Sequence, residues 1–160
     1  MQNTKARILI LFFFIFFITP AIIFCQPKIH WQKCIGRSPA TLLTSFIQTS
    51  DGGYAGAGTL DQTNAYVVKL NKSGGIQWEK VMNTPLGSQF NSIIQTFDQG
   101  YLVAGQGFTP CSVGNRGGRD AWVVKFDSIG NQQWEKCIGG TDYDGAQSII
   151  QLLLNQLFNS

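Results

Sequence analysis

The sequence contains few ionisable residues. Only 13% of its 160 residues are charged, and His30 is the only histidine. A Ser-His-Asp triad or a histidine-based metal centre would have no other histidine to draw on. His30 is interpreted instead as a residue at the rim of the fold, next to the first tryptophan strand. No catalytic residue, metal ligand or cofactor is therefore assigned.

Basic residues are also scarce, with 12 Lys and Arg against 9 Asp and Glu. Two of the basic residues, Lys5 and Arg7, belong to the N-terminal segment, so the remainder of the chain is nearly neutral. Binding of nucleic acid requires a clustered basic surface. Nucleic acid is therefore excluded as a partner.

Cysteines are too few to staple a small fold. Cys25 lies at the end of the apolar N-terminal region, and the other three, Cys34, Cys111 and Cys137, can form at most one disulfide. Cys34 and Cys137 occupy the same place in a repeated K-C-I-G motif, where a third copy has Val81. They are interpreted as small apolar fillers, and no disulfide is expected between positions two units apart, which should exceed the limit of ~7 Å between Cα atoms.

The N-terminal segment has the order of a secretory signal peptide. The basic start MQNTKAR precedes an unbroken apolar run at 8–18, and Pro20 and Cys25 follow. This succession predicts cleavage near residue 25 and a protein that is secreted or displayed at the cell surface, with membrane contact only through residues 1–25. Two alternatives stay open: an uncleaved anchor over 8–24, near the lower limit of about 17 residues for a span, and a lipoprotein acylated at Cys25.

Three tryptophans mark an internal repeat, because each begins a W-[QE]-K triplet at spacings of 47 and 56 residues. Each triplet is followed by SFIQT, SIIQT or SIIQL, and the motifs DGGYAGAG or DQGYLVAG and AYVVKL or AWVVKF complete two of the units. A period of this length indicates units that stack on one another, since one unit cannot bury its own faces. The repeat positions interpreted as structural are Trp31, Trp78, Trp134, Gly53, Tyr54, Gly100, Tyr101 and Trp122.

Each unit is predicted to form four short strands joined by Gly- and Asp-containing turns. In AWVVKF, Ala121 and Val123 alternate with Trp122 and Val124, so both faces of the strand are apolar up to Lys125. Two buried faces with antiparallel hairpins favour an all-β fold of four-stranded antiparallel meanders, the blades of a β-propeller. The S-[FI]-I-Q strand is expected near the axis and the tryptophan strand at the rim.

The number of units predicts an incomplete ring. A closed propeller needs at least four blades, whereas the chain supplies two complete units. The hypothesis is a truncated fragment of a longer protein; the alternative is a chain that completes its ring by oligomerising, and in either case self-association through unpaired blades is expected. The predicted parts are the signal peptide 1–25, the repeat region 26–151 with blade units 44–80 and 91–136, partial strands 29–34 and 147–151, and an atypical tail at 152–160.

The pattern DGGY…AG, DAWVVK and GNxxWxKxxGG resembles the repeat of secreted β-propeller-like proteins of Bacteroidetes, many of which end in a type IX secretion sorting domain. The resemblance covers residues 29–151. It implies export and a propeller-like fold, and it brings no catalytic residues. The sequence as it stands does not include the sorting domain.

An insertion makes the second unit nine residues longer than the first. Insertions in repeats map to loops, and loops on rigid scaffolds carry recognition. Phe108, Arg116 and Arg119 are the predicted contact residues for an anionic or sugar ligand, and the partner is expected to be a glycan or another surface protein. The alternative is a tolerated surface insertion.

A second candidate is the acidic pair Asp142 and Asp144 in the loop GGTDYDG. Paired carboxylates serve as acid and base in glycoside hydrolysis, whereas alternate residues of a Gly-rich surface loop are more often simply solvated. Three hypotheses for the whole chain follow. The main one is an exported non-catalytic binding module, and the alternatives are part of a secreted hydrolase or lyase propeller and a truncated product without independent function.

Overall fold

The computed structural model describes residues 32–36, 40–84, 86–107 and 118–152, which form eight β-strands. The strands make two four-stranded antiparallel meanders in sequence order, and they are not closed into a barrel. This confirms the predicted all-β fold of incomplete propeller blades. The strands are β1 (Leu42–Gln48), β2 (Tyr54–Leu60), β3 (Asn64–Leu70) and β4 (Ile76–Met82) in the first sheet, and β5 (Ser88–Gln95), β6 (Tyr101–Gly107), β7 (Asp120–Phe126) and β8 (Gln132–Ile138) in the second.

Within the described ranges, no helix is long and apolar enough to cross a membrane. The predicted signal peptide, the anchor alternative, His30, Trp31 and the end of the chain after residue 152 lie outside these ranges.

The D-x-G-Y motifs are explained by close backbone approaches at the start of β2 and β6. A Cβ atom on Gly53 would lie 2.3 Å from the carbonyl oxygen of Leu70, and one on Gly100 would lie 2.4 Å from that of Phe126. Such contacts are impossible for any residue with a side chain without moving the backbone. Glycine at these positions therefore allows the neighbouring strand to run alongside the turn.

Each inner strand carries a β-bulge, at Thr44 in β1 and at Asn91 in β5. A bulged residue has no ladder partner, and its side chain is re-aimed. Thr44 Oγ1 donates a hydrogen bond to the carbonyl oxygen of Phe90 at 2.6 Å, which ties the first sheet to the second. The sequence pattern did not reveal either bulge.

The sheets stack through opposite faces of the repeated third strand. We call the face bearing Tyr66 and Val68 in β3, and Trp122 and Val124 in β7, the leading face of each sheet. The face on the other side is the trailing face. The leading face of the second sheet packs against the trailing face of the first in one core. The trailing-face members of this core in the first sheet are Ala55, Ala57, Ala65 and Val67.

The two sheets form a wedge. Strand β5 packs against β1, β2 and β3, whereas the tryptophan strands β4 and β8 make no extensive contact with each other. The sheets therefore converge at their inner strands and diverge toward the tryptophan strands, as neighbouring propeller blades do. On the leading face of the first sheet, Ile35 packs against a second buried cluster that includes Tyr66 and Val68.

The described parts of the predicted partial strands, 32–34 and 147–151, belong to no sheet. The described residues contain no strand that pairs with either of them, and a strand is defined by such pairing.

The cysteines differ in state. Cys34 is a free, exposed thiol, so the predicted absence of a Cys34–Cys137 disulfide is confirmed. Cys137 packs partly buried against the core and is disulfide-bonded. The interpretation of Cys137 as an apolar filler agrees with its packing but missed its disulfide, because the distance between cysteines far apart in the chain depends on how the units stack.

Candidate functional site

A groove opens between the two sheets, at the end where the β1–β2, β5–β6 and β7–β8 turns lie. Its volume is about 360 Å³, at the lower end of the range of roughly 300–1,000 Å³ for small-molecule sites. Both sheets contribute to the walls. The lining residues are Ser50, Asp51, Lys69, Gln77, Trp78, Gln95, Gln99, Tyr101, Ser128 and Ile129.

A buried lysine forms the floor of the groove on the first sheet. Lys69 Nζ donates to Asp51 Oδ2 at 2.8 Å, to the carbonyl oxygen of Leu70 at 2.9 Å and to Gln77 Oε1 at 2.8 Å. Its side chain is only 4% exposed, whereas that of Asp51 is 51% exposed. The ammonium is thus fully paired, and this part of the groove carries no net charge.

The carboxylate of Asp51 is strongly stabilised in its ionised form. The hydrogen bond from Lys69 is the main reason that its pKa lies well below the usual value, and hydrogen bonds from the Thr49 hydroxyl at 2.5 Å and the Gly53 N–H at 2.9 Å lower it further. The last two bonds organise the β1–β2 turn. Asp51 therefore has the predicted turn role and also binds a lysine 18 residues further along the chain.

Two aromatic side chains from different sheets meet at the groove. The rings of Trp78 in β4 and Tyr101 in β6 are 5.5 Å apart in an edge-on arrangement, and Trp78 Nε1 donates to the carbonyl oxygen of Ser128 at 3.2 Å. The Tyr101 hydroxyl has no hydrogen-bond partner among the described residues. Burial, followed by the nearby charge of Asp51, raises its pKa to about 12, so it stays a neutral donor.

Amide side chains line the opposite wall. Gln95 Oε1 accepts a hydrogen bond from the Ser50 N–H at 2.8 Å, and Gln99 Oε1 accepts one from the Ser50 hydroxyl. No described residue accepts a hydrogen bond from Gln99 Nε2. Gln99 also holds a positive φ of 65° in the β5–β6 turn, a conformation that is uncommon for a residue with a side chain.

The groove therefore combines the Trp78 ring, a neutralised ion pair, and donors on Gln99 and Tyr101 that have no partner among the described residues. Tyr101 lines the groove although only 1% of its surface is exposed. Such a set of groups suits a neutral ligand with several hydroxyl groups, because each hydroxyl both donates and accepts. A strongly charged ligand would meet no uncompensated charge of opposite sign here.

The residues predicted in the insertion lie elsewhere. Phe108 and Arg116 are outside the described residues, and Arg119 lines a small cavity of about 70 Å³ with Gln62 and Gln106. This cavity lies at the β2–β3 turn, at the opposite end of the sheets from the groove. The predicted insertion site and the observed groove are therefore separate.

The acidic pair lies in the loop after β8, also at that far end. The Asp144 carboxylate accepts a hydrogen bond from the Gly140 N–H at 2.7 Å, within its own loop. The backbone of Asp142 contacts Gly118, where a Cβ atom would lie 2.5 Å from the Asp142 carbonyl oxygen. Among the described residues, no group of three His, Cys, Asp or Glu side chains is arranged to hold a metal.

Sequence reasoning assigned Trp78 and Tyr101 a structural role only, and it overlooked Gln95, Gln99 and the Lys69–Asp51 pair. One signal was present for two of these, because Gln95 and Lys69 recur at repeat-equivalent positions as Gln151 and Lys125. Polar residues repeated in an otherwise apolar strand need a partner when buried.

No protein-family model matches the chain, and comparison with curated proteins finds no relative. The resemblance to secreted Bacteroidetes propeller-like proteins therefore stays a prediction.

Proposed function

We propose that the protein is an exported, non-catalytic β-propeller repeat module that binds a neutral glycan in the groove between its two sheets. The single observation that carries the ligand class is the Tyr101 hydroxyl, which has no hydrogen-bond partner among the described residues and lies beside the paired Lys69 and Asp51. Export rests on the signal-peptide pattern of residues 1–25 and on the repeat resemblance.

The composition of the groove supports a sugar over other small ligands. The Trp78 ring offers an apolar surface to the C–H face of a sugar, while Gln99 and Tyr101 offer donors to its hydroxyls. The ordered ion pair Lys69–Asp51 leaves acceptor capacity on the carboxylate, which is about half exposed. The two sheets form the groove without a ligand, which limits the ordering that binding would require.

The test uses protein purified from cells that express the full chain, applied to an array of neutral and acidic glycans. We expect binding to neutral glycans, and a five- to tenfold weaker affinity for Tyr101→Phe, on the order of the loss of one hydrogen bond. The thermal midpoint should not change, because the removed hydroxyl has no partner among the described residues.

Tyr143→Phe is the matched control, since Tyr143 is 75% exposed in the far-end loop. It should bind like the unaltered protein. Replacement of residues 108–119 by Asp-Gln-Thr, the equivalent β2–β3 turn of the first sheet, distinguishes the groove from the insertion and keeps the β6–β7 hairpin. Binding that survives Tyr101→Phe but disappears with this replacement would assign recognition to the insertion and overturn the proposal for the groove. Absence of binding to every glycan would overturn the proposed ligand class.

A further inference from the structure

Residues 144–151 lie on the second sheet as residues 88–95 lie on the first. Four hydrogen bonds that hold 88–95 recur, one repeat later, between the second sheet and 144–151. The four bonds that hold 88–95 are Ser88 N to Thr63 O (2.7 Å), Thr44 Oγ1 to Phe90 O (2.6 Å), Ile93 N to Ser45 Oγ (3.3 Å) and Ser50 N to Gln95 Oε1 (2.8 Å). In the same order, the bonds that hold 144–151 are Asp144 N to Arg119 O (2.6 Å), Asn91 Nδ2 to Ala146 O (2.9 Å), Ile149 N to Ser92 Oγ (3.3 Å) and Phe97 N to Gln151 Oε1 (3.0 Å).

The segment 146–152 is thus placed as an inner strand but has no strand beside it among the described residues. Its counterpart β5 pairs along its whole length with β6. Ile150 and Leu152 are 73% and 68% exposed. An extended segment with an unpaired backbone edge is a template for a strand from another chain.

The trailing face of the second sheet is uncovered as well. Trp134 is 42% exposed and Ile138 is 63% exposed, whereas their counterparts Trp78 and Met82 pack against the core between the sheets. The open edge of residues 146–152 and the uncovered trailing face are adjacent. One further sheet that packs through its leading face would cover both.

The chain itself contains a strand that fits this edge. Strand β2 pairs with the S-F-I-Q segment of β1, and residues 148–151 read S-I-I-Q. Ser148 can accept the hydrogen bond that Ser45 accepts from the Ile93 N–H. Gln147 occupies the repeat position of Thr44 and Asn91, whose side chains donate to a backbone carbonyl oxygen of the next inner segment. Its side-chain amide can make the same kind of bond.

We propose that residues 146–152 pair with strand β2 of a second copy of this chain and replace strand β1 there. The β1–β2 hydrogen bonds that are lost are replaced by similar bonds to residues 146–152, as in domain swapping. The net gain comes from covering the exposed Trp134 and Ile138 of the second sheet. The register of β1 then places Ile150 opposite Ala55 and Gln151 opposite Tyr54 of the second copy. Tyr66 and Val68 on the leading face of the second copy are fully buried within one copy, with Ile35 packed beside them, so association displaces Ile35. The freed leading face then covers the trailing face that carries Trp134.

The association would also complete a second groove. Asp98, Lys125 and Trp134 hold the positions of Asp51, Lys69 and Trp78, and the Lys125 ammonium lies 2.9 Å from Asp98. Tyr54 of the second copy would then take the position of Tyr101. Among the described residues, one copy supplies no aromatic residue in the position of Tyr101 at this second site.

Cross-linking tests the register. In a Cys34→Ser background, the variant with Gln151→Cys and Tyr54→Cys should form disulfide-linked dimers or larger species under mild oxidation. Within one copy these two positions are separated by about two sheet spacings, roughly 20 Å, beyond the reach of a disulfide. The matched control combines Gln48→Cys with Tyr54→Cys, which are paired inside one sheet and should form an intramolecular bond.

Monomers only, with a control that closes its bond, would overturn the proposal. Sedimentation provides the second measurement: the mass of the unaltered protein should rise with concentration, Ile150→Glu should reduce it to that of a monomer, and Leu86→Glu should not. Leu86 is 68% exposed, close to the 73% of Ile150. Equal effects of the two variants, or a monomer at every concentration, would also overturn it.

Discussion

The two sheets carry the same sequence pattern but are covered differently. Ala65 and Val67 on the trailing face of the first sheet are fully buried, whereas Ala121 and Val123 at the same positions of the second sheet are only partly buried. The first pair faces the second sheet, and no sheet among the described residues covers the second pair. Burial at a repeat position is therefore decided by the neighbouring unit.

The buried lysines extend this comparison. Lys69 and Lys125 both pair with the aspartate of their own β-turn, but Lys69 also donates to Gln77. Besides Asp98, the only other described acceptor for Lys125 is the carbonyl oxygen of Phe126. The second sheet therefore depends more on its aspartate than the first.

Replacement of these aspartates tests that dependence. Asp98→Asn should lower the free energy of unfolding by about 2–3 kcal/mol and Asp51→Asn by about 1–2 kcal/mol, because the ammonium in the first sheet keeps an extra acceptor. The values lie below those for a fully buried pair, since both carboxylates are more than half exposed. Urea unfolding at pH 7 measures the difference, and equal losses would contradict the comparison.

Acid should weaken both sheets, and the loss in the first sheet should extend to lower pH, because the pKa of Asp51 is depressed further than that of Asp98. Hydrogen bonds from Thr96 and then Lys125 lower the pKa of Asp98 to about 2, against about 3.9 when unfolded. Because the folded-state pKa is the lower one, this stabilisation is complete above about pH 5 and is lost as the pH falls toward 2. Unfolding measured from pH 6 to pH 2 should show this slope, and Asp98→Asn should flatten it. An unchanged slope would exclude Asp98 as its source.

Replacement of Val67, or of its equivalent Val123, by alanine tests how well the trailing face of each sheet is covered. Val67→Ala should destabilise the protein by about 2 kcal/mol, because two buried methyl groups are lost and a cavity remains. Val123→Ala should cost less than about 1 kcal/mol at low protein concentration, since its surroundings are partly open. Association through the trailing face of the second sheet would raise the cost of Val123→Ala at high concentration, and calorimetry at two concentrations separates the cases.

The smallest expected effect is a gain in stability. Asp120 is fully buried, and neither of its carboxylate oxygens has a hydrogen-bond partner among the described residues. The first sheet has Asn64 at this position. Asp120→Asn should raise the free energy of unfolding by about 1 kcal/mol, because a neutral amide costs less to bury and can donate to the neighbouring Asp144 carboxylate. A lower thermal midpoint would show that the charge at Asp120 has a partner outside the described residues.

The sequence predicted the strands and their order well, because two-sided apolar strands such as AWVVKF and turn motifs such as DGGY are local signals. It did not predict the bulges at Thr44 and Asn91, since a bulge is a matter of register between strands. The groove was missed for a similar reason: Trp78 and Tyr101 are 23 residues apart in the chain and meet only when the sheets stack.

Sequence alone determined the repeat, the four-stranded unit and the glycines that allow each turn to pass close to its neighbour. These features depend on residues within one unit, where strand pairing and backbone sterics act over short distances. Tertiary structure alone decided which faces are covered, how Lys69 and Lys125 differ in their partners, and where the groove opens. Those outcomes depend on which unit lies alongside, and identical patterns at Val67 and Val123 meet different neighbours.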